Sequence, residues 1–324
     1  MTWQQSLATL ITNPAELLNL LDLPLEHLEC AQRASQLFPL KVPLSFVNRM
    51  TRNNLKDPLL QQVLPLGLEF NEKATFSKDP LEERNFNPVP GVLHKYANRI
   101  LITLTSACGV HCRYCFRRFF PYGNNRIGRA GFAKIVDYLK KHPEVNEIIL
   151  SGGDPLVSPD SYLNSFTQAL QNLTQIKRLR IHSRLPIVIP ARITSELLQW
   201  LYELPFQTIF VTHVNHAQEI DSEVAQAMQL LKQTVSVLLN QTVLLKNIND
   251  NAQTLKILSE RLFECGVLPY YLHVLDPVAG TTHFEIPLTK AKAIHQELMS
   301  YLPGFLVPRL VQEQPGKPSK TVLS

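Results

Sequence analysis

From residue 100 onward, short apolar runs alternate with amphipathic ones, and this alternation constrains the fold more than any other feature. The apolar runs fall at 100–105, 147–151, 178–183, 208–213, 235–239 and 270–275. Amphipathic runs come after them at 130–141, 159–172, 195–204, 219–233, 252–265 and 289–301. Strand, helix, strand repeated in this way requires a parallel sheet with crossover helices. Six units fall short of the eight that close a complete barrel. The expected fold is therefore α/β, a partial (β/α)6 barrel, with ligands gathered at the C-terminal ends of the strands. The core is expected over 91–302, preceded by an N-terminal helical extension over 1–90 and followed by a C-terminal segment, 303–324. In the extension, Asn13 can cap a helix that has Pro14 at its first position, and a second amphipathic run spans 25–37. Prolines at 43, 58, 65, 80, 88 and 90 interrupt the rest of the extension, and 85–91 reads as an extended linker. The final stretch, 312–324, reads as a polar tail rich in Pro and Gly.

Composition narrows the compartment and partners. The charge of +5 is spread along 324 residues, which reads as a mildly basic surface and not as a nucleic-acid patch. Five cysteines, three of them within eight residues, do not form a secreted disulfide framework. The N-terminus lacks a basic region followed by an apolar one, and no apolar run reaches membrane-spanning length. A cytoplasmic protein, bound to neither membrane nor nucleic acid, is the expectation.

The three clustered cysteines carry the chemistry. Cys108, Cys112 and Cys115, in SACGVHCRYC, come after the first barrel strand with spacing C-x3-C-x2-C. Three thiolates on one loop can ligate three irons of a [4Fe–4S] cubane and leave the fourth iron open. The alternative is a zinc site completed by His111, although structural zinc usually draws on two separated ligand pairs. Cys30 and Cys265 stand alone in expected helices and read as ordinary buried cysteines. After the second strand comes a turn, Ser151-Gly152-Gly153-Asp154-Pro155, whose glycines let backbone approach a ligand closely.

The triad, Tyr114 before its last cysteine, and the GGD turn in register resemble the radical S-adenosylmethionine (SAM) superfamily. CRYCFRR, LSGGDPL, SRLPIVIPARIT, VTHVNHAQEI, NQTVLLKNIND and PYYLHVLDPVAGTTHF, in this order, resemble the lysine 2,3-aminomutase family, and most closely its short EpmB type. The resemblance implies a [4Fe–4S] cluster, SAM and pyridoxal 5′-phosphate (PLP), and migration of an amino group from C2 to C3 of an amino acid. It implies that Lys320 holds PLP, with Lys317 as competitor, although Pro318-Ser319 stand where the family has glycines. It implies Arg117 on the substrate carboxylate, and Asp276 with Glu313 on a substrate ammonium. Lys95 and Arg192 are implied for the PLP phosphate, with Arg184 as an alternative. Gly152, Gly153, Asp154, His213, Asn240 and Gln241 are implied near the cofactors. The implied partners are L-lysine, an electron donor, and translation elongation factor P with its lysyl-ligase, with a homo-oligomer also possible. Arginine or glutamate as substrate, and a non-catalytic Fe–S or zinc module, stay open at this point.

Overall fold

The computed structural model describes residues 1–323. Among the described residues nine strands form one sheet in sequence order: β1 Val92–Tyr96, β2 Arg99–Ile102, β3 Glu147–Leu150, β4 Arg178–His182, β5 Gln207–His213, β6 Val237–Leu244, β7 Leu268–Val274, β8 Arg309–Gln312 and β9 Thr321–Val322. Strands β2 to β8 run parallel, and antiparallel β1 and β9 flank them. Helices Arg129–Lys140, Asp160–Leu170, Ser195–Glu203, Ser222–Thr234, Ala252–Glu264 and Leu288–Tyr301 each come after one of β2 to β7, which gives the six expected βα units. Three of these helices start on a side-chain cap: Thr194 accepts from Leu197 N, Asp221 from Val224 N and Asn251 from Thr254 N.

Alternate strand residues fill the interior. Ile100, Ile148, Leu179 and Phe210 are all buried, and the parallel register sets Ile100 beside Ile148 and Ile148 beside Leu179. The N-terminal residues join this core: Leu17, Leu18, Phe46 and Leu60 belong to one continuous apolar cluster with Ile148 and Phe210. Among the described residues no helix is long and apolar enough to cross a membrane.

The structure corrects four local expectations. The α-helices of the N-terminal extension end at Val47, and residues 48–90 run in turns and single-turn 3-10 helices. The stretch 85–91 is not extended: its start belongs to the 3-10 turn Glu83–Phe86, and Gly91 takes a left-handed φ of 79°. Strand β6 runs on to Leu244, so Asn240 and Gln241 lie inside it and not after it. The polar tail is a hairpin. β8 adds a seventh parallel strand, and β9 returns against it through Val311↔Val322 and Gln312↔Thr321. Polar composition hid this strand because only Leu310 and Val311 of β8 face the core.

Candidate active site

Most candidate residues are set on loops at the C-terminal ends of β2, β3, β4, β7 and β8, with His213 ending β5, Asn240 and Gln241 inside β6 and Lys95 inside β1. The cysteine loop leaves the end of β2 and is fastened from the N-terminal side: His111 N donates to Lys41 O at 2.9 Å and Arg113 N to Gln62 O at 2.9 Å. Cys108, Cys112 and Cys115 are each half-buried. Their thiols are close enough to act on one another's ionisation: burial and then Cys112 push Cys115 up to about 11, and burial, Asp154, Cys115 and Cys112 push Cys108 up. His111 is committed elsewhere, with Nδ1 2.8 Å from Pro39 O and its ring against Phe38. Among the described residues no group of three His, Cys, Asp or Glu side chains is gathered to hold a metal ion. The three soft sulfur donors fit an iron–sulfur cubane, which spreads its ligands over several metals. Cys30, expected to be buried, is exposed, with Sγ 3.2 Å from Leu66 O; Cys265 is buried as expected.

The GGD turn presses against this loop. A Cβ on Gly153 would meet Ala107 O and Thr105 O at 2.6 Å, and one on Gly152, at φ 110°, would meet Thr103. Asp154, expected beside a cofactor, instead holds its own chain. Its carboxylate accepts from Ser183 Oγ at 2.7 Å, Arg184 N at 2.8 Å, Leu185 N at 2.9 Å and Leu156 N at 3.1 Å. With four donors on two oxygens it has no acceptor to spare.

The Asp154 contacts fix Arg184, whose side chain is the hub of a buried network. Nη1 reaches Cys112 Sγ at 2.8 Å and Tyr114 Oη at 2.7 Å, while Nη2 reaches Gln62 Oε1 at 2.6 Å and Glu219 Oε2 at 3.0 Å. Tyr114 Oη also meets His213 Nε2 at 2.9 Å and Asn215 Nδ2 at 2.7 Å. Burial, and then Arg184, push His213 down to about 3, so its imidazole is neutral at physiological pH. Asn240 is spent on the β5–β6 join: it accepts from Thr212 Oγ1 and Val214 N, both at 2.9 Å, and donates to Val214 O at 3.1 Å. Gln241 is half-buried, paired in register with His213.

A second cluster gathers across the barrel mouth as a chain of alternating charges. Arg117 meets Glu83 with two 2.7 Å hydrogen bonds. Glu83 lies 3.3 Å from Lys95, and Lys95 lies 3.0 Å from Glu313, whose other oxygen takes Lys320. Burial opposes ionisation of Glu313, but Lys320 and Lys95 outweigh it and hold the carboxyl well below its usual range. Asp276 goes the other way: burial and then Glu313 raise it to about 7. Tyr96 lies under Arg99, 4.1 Å from ring centre to guanidinium, and burial and Glu313 push its phenol up. Around Lys320 stand two imidazoles, His182 and His273, whose buried Nε2 atoms have no partner. Burial, then Lys320, push His273 down to about 3. Two unspent imidazole nitrogens and three cations against two ionised carboxylates fit an anionic, hydrogen-bonding cofactor such as PLP.

The structure brings Lys320, Glu313, Asp276, Lys95 and Arg117, read from the sequence in separate roles, into one cluster, and has the three cysteines on one loop. Arg192 lies apart from that cluster. It is fully buried, donates through Nε to Leu156 O at 2.7 Å, pairs with Asp160 and lies 4.4 Å over the Trp3 ring. Glu83, Gln62, Glu219, His182 and His273 escaped the sequence reading. The two histidines end or near the end of predicted strands, which was the one available signal; Glu83 and Gln62 lie in segments with no periodicity. A groove of about 540 Å3 opens elsewhere, between Thr9, Ser45, Pro190 and Gln226, and no cysteine, lysine or histidine lines it.

Comparison with known proteins agrees with this geometry. The fold is similar to that of a solved radical SAM methyltransferase from Sphaerobacter thermophilus, with TM-score 0.52 and 14% identity over 68% of each chain. That likeness is one of fold, an α/β sheet with most of its strands in parallel. The chain is 49% identical to the L-lysine 2,3-aminomutase of Escherichia coli over 99% of this chain and 94% of that protein. It is 48% identical to the one of Haemophilus influenzae over 99% and 95%, and 33% identical to the one of Clostridium subterminale over 98% and 77%. No protein-family profile matches the chain. The chain belongs to the lysine 2,3-aminomutase family, radical SAM aminomutases that use a [4Fe–4S] cluster, SAM and PLP.

Proposed function

We propose that this enzyme converts (S)-α-lysine to (R)-β-lysine. One observation carries the choice of substrate. Glu313 receives two primary amines, Lys95 and Lys320, and stands close enough to Asp276 to help raise its pKa. A carboxylate that already holds alkylammonium groups, with a second carboxyl beside it, suits the ε-ammonium of lysine. It repels the side-chain carboxylate of glutamate.

Cys108, Cys112 and Cys115 hold the cluster, and Gly152 and Gly153 let the turn beside it pack directly against the cysteine loop. Lys320 anchors PLP, with Lys95 and the unpartnered nitrogens of His182 and His273 as further contacts. When bound, these groups supply a primary carbon radical and a ring that spreads an unpaired electron over its atoms. The protein's own residues orient the substrate. Arg117 takes the α-carboxylate through its Nη1 edge, which Glu83 leaves uncovered, and Ser151 Oγ stands 3.5 Å from that nitrogen. Asp276 and Glu313 take the far ammonium, so the chain of the amino acid is stretched between two fixed ends. The barrel wall and the N-terminal segment that fastens the cysteine loop keep water away from the reacting carbons.

The product serves β-lysylation of elongation factor P by a lysyl-ligase in the cytoplasm. What supports this is the resemblance of the chain to the short EpmB type. The test is anaerobic incubation of reduced enzyme, SAM and PLP with lysine, arginine and glutamate in turn. β-Lysine alone is expected, and glutamate or arginine turnover without lysine turnover overturns the reading. Transfer of the product onto elongation factor P by its ligase, read by mass spectrometry, tests the second part.

A further inference from the structure

We propose that Arg184, acting through Cys112, sets how readily the iron–sulfur cluster accepts its electron, and that Glu219 moderates this effect. The inference rests on the reading of Cys112 as a cluster ligand. Arg184 Nη1 stands 2.8 Å from Cys112 Sγ, and Glu219 Oε2 stands 3.0 Å from Nη2 of the same guanidinium.

Hydrogen bonds and positive charge at a cluster sulfur draw electron density from the metal–sulfur unit. They stabilise the reduced, more negative state and raise its potential. The guanidinium delivers both, since it stays charged wherever it is placed. Its effect is large only if it cannot swing away, and here it is held at several points. Asp154 binds the Arg184 and Leu185 amides, and Gln62, Tyr114 and Glu219 engage the fork. Arg184 is 6% exposed, so water does little to weaken its field.

Glu219 is as firmly fixed. It accepts from Gln62 Nε2 at 3.1 Å, Asn215 N at 2.9 Å and His216 N at 3.1 Å, as well as from Arg184. Despite complete burial, Arg184 and these donors keep it ionised. Its negative charge offsets part of the arginine's. The pair is therefore a fixed positive charge facing the sulfur with a fixed negative one behind it. Arg184 is a positioning residue here: it touches neither substrate nor reacting carbon. The step concerned is transfer of one electron from an external low-potential donor to the oxidised cluster, with no bond made or broken.

The test is a redox titration of reconstituted protein with dithionite, read by the electron paramagnetic resonance signal of the reduced cluster, with iron and sulfide measured on each sample. Arg184→Gln alone would strand the Glu219 charge in the interior, so the double variant R184Q/E219Q is used, alongside E219Q. The double variant is expected to titrate at a more negative potential than the parent. E219Q, which leaves the arginine unopposed, is expected to titrate at a more positive one. Unchanged midpoints in both, or shifts in one direction only, overturn the proposal, as does loss of iron from the double variant with no shift in E219Q. Parent protein that takes up no iron would sink the cluster reading instead, so the two failures are distinguishable.

Discussion

Glu83 sets one carboxylate oxygen on Arg117 Nε and the other on Nη2, both at 2.7 Å, and thereby fixes which edge of the guanidinium faces the barrel mouth. The pair is nearly dry: Glu83 is 3% exposed and Arg117 9%. Glu83 thus ties the irregular segment before β1 to the loop that carries the cysteines.

Removing one partner of such a pair strands the other. Glu83→Gln is expected to lower unfolding free energy by about 3 kcal/mol, measured by urea denaturation at neutral pH. The parent has an acid-side signature as well. Burial raises Glu83, but Arg117 and Lys95 outweigh it and the carboxyl ends below its usual value. Its unfolded form therefore binds more protons, and the stabilisation is present above the unfolded carboxylate pKa and lost as pH falls through the depressed folded one. The variant should show a shallower loss in acid. An equally steep loss would show that Glu83 does not titrate with folding.

Asp276 gives the opposite sign. Its folded pKa, raised to about 7, means the folded protein holds a proton that the unfolded chain has released. Its contribution is present below the unfolded pKa and is lost as pH rises towards 7. Asp276→Asn should therefore remove a fall in stability across the range from about pH 4 to pH 7. In binding, the ionised carboxylate is the useful form, so KM for lysine should drop as pH rises from 6 to 8. Below pH 7 the change approaches about tenfold per pH unit, the change in ionised fraction. A pH-independent KM in the parent would rule Asp276 out as an ammonium partner.

Lys320 and Lys317 are separable by trapping. Borohydride reduction of PLP-loaded protein, followed by peptide mapping, should label Lys320 in the parent. Lys320→Ala should lose the label and all lysine turnover, and Lys317→Ala should keep both. A label on Lys317 would reverse the assignment. The structure favours Lys320 because its ammonium reaches Glu313, while Lys317 is exposed on the hairpin loop.

Gly153→Ala tests the seat of the cysteine loop. The added methyl would lie 2.6 Å from two carbonyl oxygens, Ala107 and Thr105, neither of which is the far end of a flexible side chain. The loop must shift. Most of the bound iron should be lost, along with the thiolate-to-iron absorption shoulder near ~400 nm. Iron content equal to the parent's would show that the turn and the loop are not mechanically coupled.

Much of this was legible in the chain. Six βα units could be read because each strand is a short apolar run and each helix has one apolar stripe. The cysteines, Lys320, Glu313, Asp276, Lys95 and Arg117 could be singled out because residue type, order and spacing were matched to a family pattern. Long-range partnership stayed hidden. Nothing near Glu83 or Gln62 in sequence says that they face Arg117 and Arg184. Asp154 and Asn240 were read as cofactor contacts because they lie beside the right strands. Their hydrogen bonds go to neighbouring backbone and hydroxyl groups, and a sequence cannot count hydrogen bonds already made. The strand β8 was missed because four residues with two buried apolar side chains resemble a loop.

The β8–β9 hairpin has a consequence for how this chain can vary. Two residue pairs hold its register, and in a strand a slip of one residue turns a side chain to the other face. Insertion or deletion between Glu313 and Lys320 would therefore misdirect the Lys320 amine even if every neighbour were kept. Identity at the exposed positions beside Gly316 is less constrained, since Gly316 itself, at φ 74°, supplies the left-handed bend that other residues take only with strain. Pro318 and Ser319 can stand in for glycines there because the hairpin measures out distance and does not read side chains.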